Sequence, residues 1–139
     1  MIRLSHIAIA CPQIEFVMKQ FERLGLELEA ERSVEVASEK VKVAFVPIEP
    51  SDELRIELLQ PTADSSAVAK FLSDRPKGGL HHLSFEVSNI DQWKVRLENA
   101  GVEILPPGLR KGARGTILFI HPRSMGGVLV ELEQLIQTP

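Results

Sequence analysis

The sequence predicts an α+β fold in which two tandem βαβββ modules form a cupped mixed sheet. The segment that begins at Leu80 repeats the one that begins at Leu4, with a histidine at its third position and an aliphatic residue after it. Each copy is followed by an amphipathic stretch that ends at a glycine. Farther along, the tripeptide Ile-Glu-Leu at 56–58 returns as Val-Glu-Leu at 130–132. Such internal repetition is typical of duplicated structural modules.

The repeat divides the chain into module 1 (about 3–61), a linker (62–79) and module 2 (about 80–135). A chain of 139 residues has the length of one domain. Half of that length gives a core too small for independent stability, so the two modules should pack together. We therefore expect a single domain with an internal pseudo-twofold axis.

Module 1 begins with a predicted strand over 3–10, where the pattern is apolar and favours β structure. Apolar residues that recur at spacings of three and four then predict a helix over 13–24. A weaker extended segment follows over 26–36. Alternating patterns predict two further strands, over 40–47 and 54–60, and turn-forming residues separate them.

Module 2 retraces this order after a linker that carries a short predicted helix over 65–72. It contains a strand, a helix, a basic glycine-rich loop and two closing strands. These elements are predicted at 80–87 (strand), 90–100 (helix), 106–115 (loop), 116–120 and 128–132 (strands). The second half therefore supplies the same kinds of element as the first, which is what a duplicated sheet-and-helix unit requires.

Composition excludes several classes of protein. The net charge of −3 argues against a nucleic-acid surface, which would show a clustered basic excess. A single cysteine cannot form an internal disulfide framework and fits a reducing compartment. No signal-peptide pattern opens the chain, and no apolar run approaches the roughly 20 residues that a spanning helix needs. We expect a soluble, cytoplasmic protein with no membrane association.

Two histidines and two glutamates occupy matched positions in the repeat. Module 1 carries His6 near its start and Glu57 on its last strand, and module 2 carries His82 and Glu131 at the equivalent places. Each residue alone is more often structural, but the matched pairs favour a common site. Two imidazoles and two carboxylates on rigid strands suit a divalent transition metal with positions left open for water or substrate.

Strand parity supports an open space beside the first histidine. Because side chains alternate along a strand, His6 shares its face with Ala8 and Ala10, which are small. The other face carries Ile7 and Ile9, as a face that packs on a core should. This pattern predicts a sheet cupped around a ligand.

The remaining histidines have other predicted roles. His81 must face away from His82 on the same strand, so we expect it to be structural or to lie behind the metal ligands. His121 precedes a proline, which makes a turn histidine the main interpretation and a residue at the rim of the pocket the alternative.

Four segments of the sequence are distinctive: HIAIACP at 6–12, GGLHH at 78–82, HPRS at 121–124 and GVLVEL at 127–132. Together they resemble the methylmalonyl-CoA epimerases, a family of the vicinal oxygen chelate superfamily that also includes glyoxalase I and extradiol dioxygenases. The resemblance extends from Leu4 to Gln134. It implies the vicinal oxygen chelate fold, an acyl-CoA substrate and a homodimer.

The resemblance also implies a site. The metal ligands would be His6, His82 and Glu131, with Glu57 at a position that relatives fill with Gln or Glu. The ion would be cobalt, manganese, zinc or nickel. A metal that chelates the carboxylate and thioester oxygens of the substrate stabilises the enolate formed when the C2 proton leaves. Glu131 would be one of the two catalytic groups that exchange this proton.

The opposite proton carrier stays open at this point. Relatives place a glutamate on the strand that matches 40–46, but here that position falls on Lys42 or Val43. Two acidic residues lie nearby, Glu35 and Glu39, and the sequence does not choose between them.

The loop before the last two strands is basic. It carries Arg110, Lys111 and Arg114, with Arg123 beyond it. Arginine and lysine bind phosphate well, so these four side chains are the predicted contacts for coenzyme A. The alternative is a solvated loop whose charges serve solubility.

Two other functions remain possible from the sequence. A glyoxalase-I-like lyase that acts on a hemithioacetal uses the same ligand types. A non-catalytic small-molecule-binding protein of the same fold would need an aromatic groove, and the chain has only six Phe, one Trp and no Tyr. An assay with methylglyoxal and thiol tests the first alternative, and metal analysis tests the second.

Overall fold

The computed structural model describes residues 1–26, 33–48 and 51–137. Its strands are β1 (Ile2–Ala10), β2 (Val34–Val36), β3 (Val41–Ile48), β4 (Ser51–Pro61), β5 (Gly79–Val87), β6 (Arg110–Lys111), β7 (Gly115–Ile120) and β8 (Val130–Leu135). Its helices are α1 (Ile14–Arg23), α2 (Ala67–Asp74) and α3 (Ile90–Asn99), with a short 3₁₀ turn at Pro122–Ser124. None of the helices in these ranges is long and apolar enough to cross a membrane.

The strands belong to one mixed sheet in the order β2-β3-β4-β1-β5-β8-β7-β6. The pairs β1–β4 and β5–β8 are parallel. The pairs β2–β3, β3–β4, β6–β7 and β7–β8 are antiparallel. Each half thus contributes one strand, one helix and three strands in chain order, and the predicted α+β fold with a repeated βαβββ module is confirmed.

By its contacts the chain forms two compact units, His6–His81 and Met1–Ser5 with His82–Pro139. The division falls inside two strands, β1 and β5. We call these the first unit (His6–His81) and the second unit. The proposed boundaries of the modules, with a linker over 62–79, stay a prediction.

The first unit has a hydrophobic cluster on each side of its strands. One cluster contains the buried residues of α1, and the other contains Val68 of α2. Val43 and Ala44 are neighbours on β3 and lie in different clusters, as the alternation of a strand requires. The cluster with α1 consists of Cys11, Ile14, Met18, Ala44, Val46 and Leu58. The cluster with α2 consists of Ala8, Ala10, Val36, Val41, Val43, Leu59 and Val68.

Strand parity placed Ala8 and Ala10 on the face of β1 that carries His6. Both alanines are fully buried and belong to the cluster that contains Val43, Leu59 and Val68. The space expected beside His6 stays a prediction. Small side chains here allow α2 to pack closely on the strands. The predicted extended segment over 26–36 lies mostly outside the described residues, with only β2 visible at its end.

The second unit packs α3 against its strands. Ile90 is buried with Leu118, Ile120 and Leu132, and Trp93 lies against this cluster. Asn89 caps the helix by accepting a hydrogen bond from the backbone N–H of Gln92 at 3.1 Å.

Helices α1 and α3 are each connected by one glutamine to the last strand of their module. Gln60 accepts a hydrogen bond from the backbone N–H of Ile14, the first residue of α1, at 2.9 Å. Gln134 accepts the equivalent bond from the N–H of Ile90, the first residue of α3, at 2.8 Å. The first N–H groups of a helix have no partner within it, so both bonds satisfy a donor that the fold would otherwise leave to solvent. This repeated contact supports the duplication read from the sequence.

Candidate metal site

The first unit brings His6 and Glu57 together. β1 and β4 run parallel, and Ala8 is the register partner of Glu57. The two side chains are buried, with His6 1% and Glu57 6% exposed, and His6 Nε2 lies 3.1 Å from Glu57 Oε2. A buried carboxylate needs a partner to offset its lost hydration, and the imidazole supplies one here.

The second unit brings His82 and Glu131 together. His82 Nε2 lies 3.9 Å from Glu131 Oε2, and both side chains are buried. Ser84, the register partner of Glu131, donates a hydrogen bond from its hydroxyl to Glu131 Oε1 at 2.7 Å. Ser84 is fully buried, so this bond fixes one oxygen of the carboxylate. Sequence reasoning missed Ser84, although its place two residues after His82 puts it on the same face of β5.

Three of the predicted ligands offer atoms close enough to hold one ion. Among the described residues, one ligand atom each from His6, His82 and Glu131 lie within 4.8 Å of one another. Two imidazoles and one carboxylate are the donors of a common site for divalent iron, and they suit related transition metals. Glu57 is outside this group of three but touches it through His6. The residues present therefore fit a divalent transition metal.

His81 packs against an aromatic ring of the first unit. Its ring lies edge-on to Phe71, with the ring centroids 5.0 Å apart. Burial lowers the pKa of His81 to about 4, so the imidazole is neutral at pH 7. These contacts agree with the structural role expected for His81.

The structure shows the surroundings of the four residues considered for the second proton carrier. Lys42 Nζ lies 3.0 Å from Glu15 Oε1 of α1. A backbone hydrogen bond of Glu15 and the Lys42 ammonium both hold the pKa of Glu15 below its usual range. Val43 is buried in the hydrophobic cluster with α2. Glu35 is exposed on β2, and Glu39 lies in the turn that precedes β3.

The basic loop is more structured than the sequence suggested. Arg110 and Lys111 form the short strand β6, paired with Ile117 and Thr116. Gly115 is required by close packing, because a Cβ there would collide with the carbonyl oxygen of Gln134. At least one glycine of this segment therefore serves strand pairing rather than approach to a ligand.

Two of the predicted phosphate contacts have carboxylate partners within the second unit. Arg114 forms an ion pair with Glu133, whose side chain is 3% exposed, and donates a hydrogen bond to Ser5 Oγ at 2.8 Å. Arg123 Nε lies 2.9 Å from Glu103 Oε2. Sequence reasoning did not anticipate either pair.

His121 is a turn residue. Its Nδ1 accepts a hydrogen bond from the backbone N–H of Arg123 at 3.0 Å and so caps the 3₁₀ turn. The main interpretation of this histidine is confirmed.

Comparison with known proteins agrees with this arrangement. A family model described as the glyoxalase/bleomycin resistance protein/dioxygenase superfamily matches residues 5–119. The ethylmalonyl-CoA/methylmalonyl-CoA epimerase of Cereibacter sphaeroides is 40% identical over 136 residues, which cover 96% of this chain and 98% of that protein.

Solved structures show the same likeness. The methylmalonyl-CoA epimerase of Mycobacterium tuberculosis superposes with a TM-score of 0.86 at 30% identity and covers 96% of this chain and 88% of its own. A variant of the Streptomyces coelicolor methylmalonyl-CoA epimerase, in complex with 2-nitronate-propionyl-CoA, superposes with a TM-score of 0.86 at 28% identity and covers 99% and 98%. The chain belongs to the methylmalonyl-CoA epimerase family, within the glyoxalase/bleomycin resistance protein/dioxygenase superfamily.

Proposed function

We propose that this chain inverts the C2 centre of methylmalonyl-CoA by a 1,1-proton transfer that depends on a divalent metal. The observation that carries the proposal is the group of buried ligand atoms from His6, His82 and Glu131. The relatives named as methylmalonyl-CoA epimerases support the substrate. His6, His82 and Glu131 would hold the ion, with Glu57 as a fourth ligand.

The substrate explains why such a site is needed. C2 of methylmalonyl-CoA lies between a carboxylate and a thioester carbonyl, so loss of its proton places negative charge on the thioester oxygen. A bound divalent cation supplies Lewis acidity that stabilises this charge. His6 and His82 are buried, and electrostatic stabilisation is stronger in buried surroundings, where the effective dielectric constant is lower.

Glu131 is the group we assign to proton transfer on one face of C2. Its Oε1 is engaged by Ser84, and its Oε2 points toward His82. A carboxylate held by a hydroxyl donor has a defined orientation, which general base catalysis requires. β3 contains no carboxylate, so a carboxylate that serves the opposite face of C2 would come from another element.

The basic segment is our proposed contact for the phosphates of coenzyme A. Arg110 and Lys111 lie on β6, and Arg114 and Arg123 lie beyond it. Phosphate would compete with Glu133 for Arg114 and with Glu103 for Arg123. Arg123 and Glu103 are both well exposed, so their ion pair contributes little to stability and phosphate can replace it at low cost.

The decisive experiment is exchange of the C2 proton. Purified protein loaded with Co²⁺ is incubated with one epimer of methylmalonyl-CoA in D₂O, and deuterium at C2 and the epimer ratio are followed together. We expect both to change, and chelation should stop both. Turnover of methylglyoxal with thiol, without exchange at C2, would assign the chain to the glyoxalase-I-like lyases instead.

Metal content separates the enzyme from a binding protein of the same fold. We expect about one equivalent of divalent metal per chain after purification in its presence, since the ligand atoms are preorganised on strands. Less than about half an equivalent would favour the binding protein. We also propose a cytoplasmic homodimer, and sedimentation equilibrium tests the dimer.

A further inference from the structure

Each proposed histidine ligand packs against a phenylalanine that carries an arginine. In the first unit, the rings of His6 and Phe45 meet edge-to-face, with centroids 6.3 Å apart and planes at 76°. The guanidinium carbon of Arg55 lies 5.6 Å from the centroid of the same phenyl ring. Phe45 is also the register partner of Glu57 on the antiparallel strand.

The second unit repeats this arrangement. The rings of His82 and Phe119 meet edge-to-face at 5.4 Å and 81°. The guanidinium carbon of Arg110 lies 4.8 Å from the centroid of Phe119. Phe119 is the register partner of Glu131, as Phe45 is of Glu57. Both phenylalanines therefore stand opposite the glutamate of their module, although no local sequence motif connects them.

We propose that Phe45 and Phe119 are positioning residues that fix the imidazole planes of His6 and His82 for metal binding. This inference rests on the proposed function, because it concerns the same ligands. Edge-to-face contact restricts rotation of an imidazole ring, and a cation over the phenyl ring helps to hold that ring in place. Groups behind the ligands orient them and so set metal affinity.

The geometry predicts unequal contributions from the two copies. Both distances are shorter around Phe119 than around Phe45, the ring separation being 5.4 Å against 6.3 Å. Removal of the ring at 119 should therefore weaken metal binding more than removal at 45.

The chain supplies a matched control in Phe71. This ring meets His81 edge-to-face at 5.0 Å, and Arg75 lies over it with 4.5 Å between the guanidinium carbon and the centroid. The same three residue types thus occur around a histidine that is not a proposed ligand. Phe71→Leu removes packing of the same kind and leaves Phe45 and Phe119 in place.

The test is the affinity of the full-length protein for Co²⁺, measured by competition with a chelator, together with the visible absorption of the bound ion. Phe119→Leu should weaken binding about tenfold and change the spectrum. Phe45→Leu should do so to a smaller extent. Phe71→Leu should keep wild-type affinity and spectrum, even where its melting temperature falls. Phe119→Met, which keeps most of the buried volume, serves if Phe119→Leu does not fold.

The outcomes separate this inference from the proposed function. A wild-type protein that binds no Co²⁺ overturns both. A wild-type protein that binds Co²⁺, with equal affinity and spectrum in the variants at 119, 45 and 71, overturns the positioning role alone. A spectral change in Phe119→Leu that is absent in Phe71→Leu supports it, because lost stability alone does not alter the ligand field.

Discussion

The guanidinium of Arg114 pairs with the buried carboxylate of Glu133 and also donates a hydrogen bond to Ser5. Ser5 in turn donates its hydroxyl hydrogen to the same carboxylate. Glu133 stands two residues after Glu131 on β8, so the two carboxylates share one face of the strand. The ion pair thus joins the basic segment to the strand that carries the proposed catalytic group.

This pair should contribute strongly to folding stability. Arg114→Met leaves Glu133 buried without its cation, and we expect a loss of about 3 kcal/mol in the free energy of unfolding. Glu133→Gln keeps an acceptor for Ser5 and Arg114, so its loss should be about 1 kcal/mol. Urea unfolding at pH 7 measures both. Equal values for the two variants would mean that burial of the charge is not the main term.

The two adjacent histidines of β5 should differ in metal binding. His82→Ala removes a proposed ligand, so the purified variant should retain little metal. His81→Ala removes a neutral imidazole that packs on Phe71 and should keep about one equivalent. Metal analysis of both variants, prepared in parallel, is the measurement. Equal loss of metal would mean that the wrong histidine has been assigned to the site.

Glu131 should be essential for turnover, and Ser84 should increase turnover by orienting Glu131. Glu131→Gln should lower turnover by on the order of 10²–10⁴-fold, because it removes a proton carrier as well as a charged ligand. Ser84→Ala removes the hydrogen bond that orients the carboxylate, and we expect a decrease of about tenfold.

The serine control is Ser73→Ala, an exposed hydroxyl that bonds to the Lys70 carbonyl oxygen. It should leave the exchange of the C2 proton unchanged. If Ser73→Ala slows exchange as much as Ser84→Ala does, the orientation of Glu131 is not what Ser84 provides.

Replacing the carboxylate of Glu57 by an amide should have little effect on metal affinity. Glu57→Gln keeps an oxygen ligand and a near-identical shape, so metal affinity should stay within about tenfold of wild type, whereas Glu57→Ala should lose more. Chelator competition measures the two constants. An equal loss in both variants would show that the negative charge, rather than the oxygen atom, is what the site uses.

Cys11 should be unreactive in the folded protein. Burial, and to a smaller extent the charge of Glu15, raises the pKa of its thiol from 9.0 to about 11. Its Sγ lies 3.6 Å from the carbonyl oxygen of Leu59, as a weak donor does. We expect slow modification by a disulfide reagent at pH 8 and fast modification in urea. Prompt labelling of the native protein would contradict this.

The raised pKa of the Cys11 thiol also predicts how folding stability changes with pH. Between pH 9 and about 11 the unfolded chain loses the Cys11 proton while the folded chain keeps it, so the unfolded state binds fewer protons. Stability should therefore fall as pH rises through this window, by about 2–3 kcal/mol at most from this group. Cys11→Ala should show a smaller decrease over the same range.

The repeat carried most of what the sequence could predict. Matching His6 with His82 selected one of two adjacent histidines, and the matched tripeptides located Glu57 and Glu131. These predictions depend on strand parity and order, which local patterns encode well. Gln134 stands three residues after Glu131, as Gln60 does after Glu57, but its role as a helix anchor was visible only in the structure.

Contacts that depend on strand register could not be predicted from the sequence. Phe45 and Phe119 are equivalent only through their partners across antiparallel strands, and no spacing along the chain reveals this. The pairing of Arg114 with Glu133 also depends on how strands align. The sequence around Arg114 is basic and rich in glycine, which is typical of a solvated loop.

The glutamine anchors have a consequence for errors in folding. Slipping β8 by a single residue would turn Glu131 into the hydrocarbon beneath α3 and would, in the same movement, pull Gln134 away from the start of that helix. A misaligned strand is thus penalised at two places at once. Gln60 makes the equivalent bond in the first half, so a slipped strand loses a helix contact in either half. We therefore expect few near-native conformations in which the carboxylate is displaced.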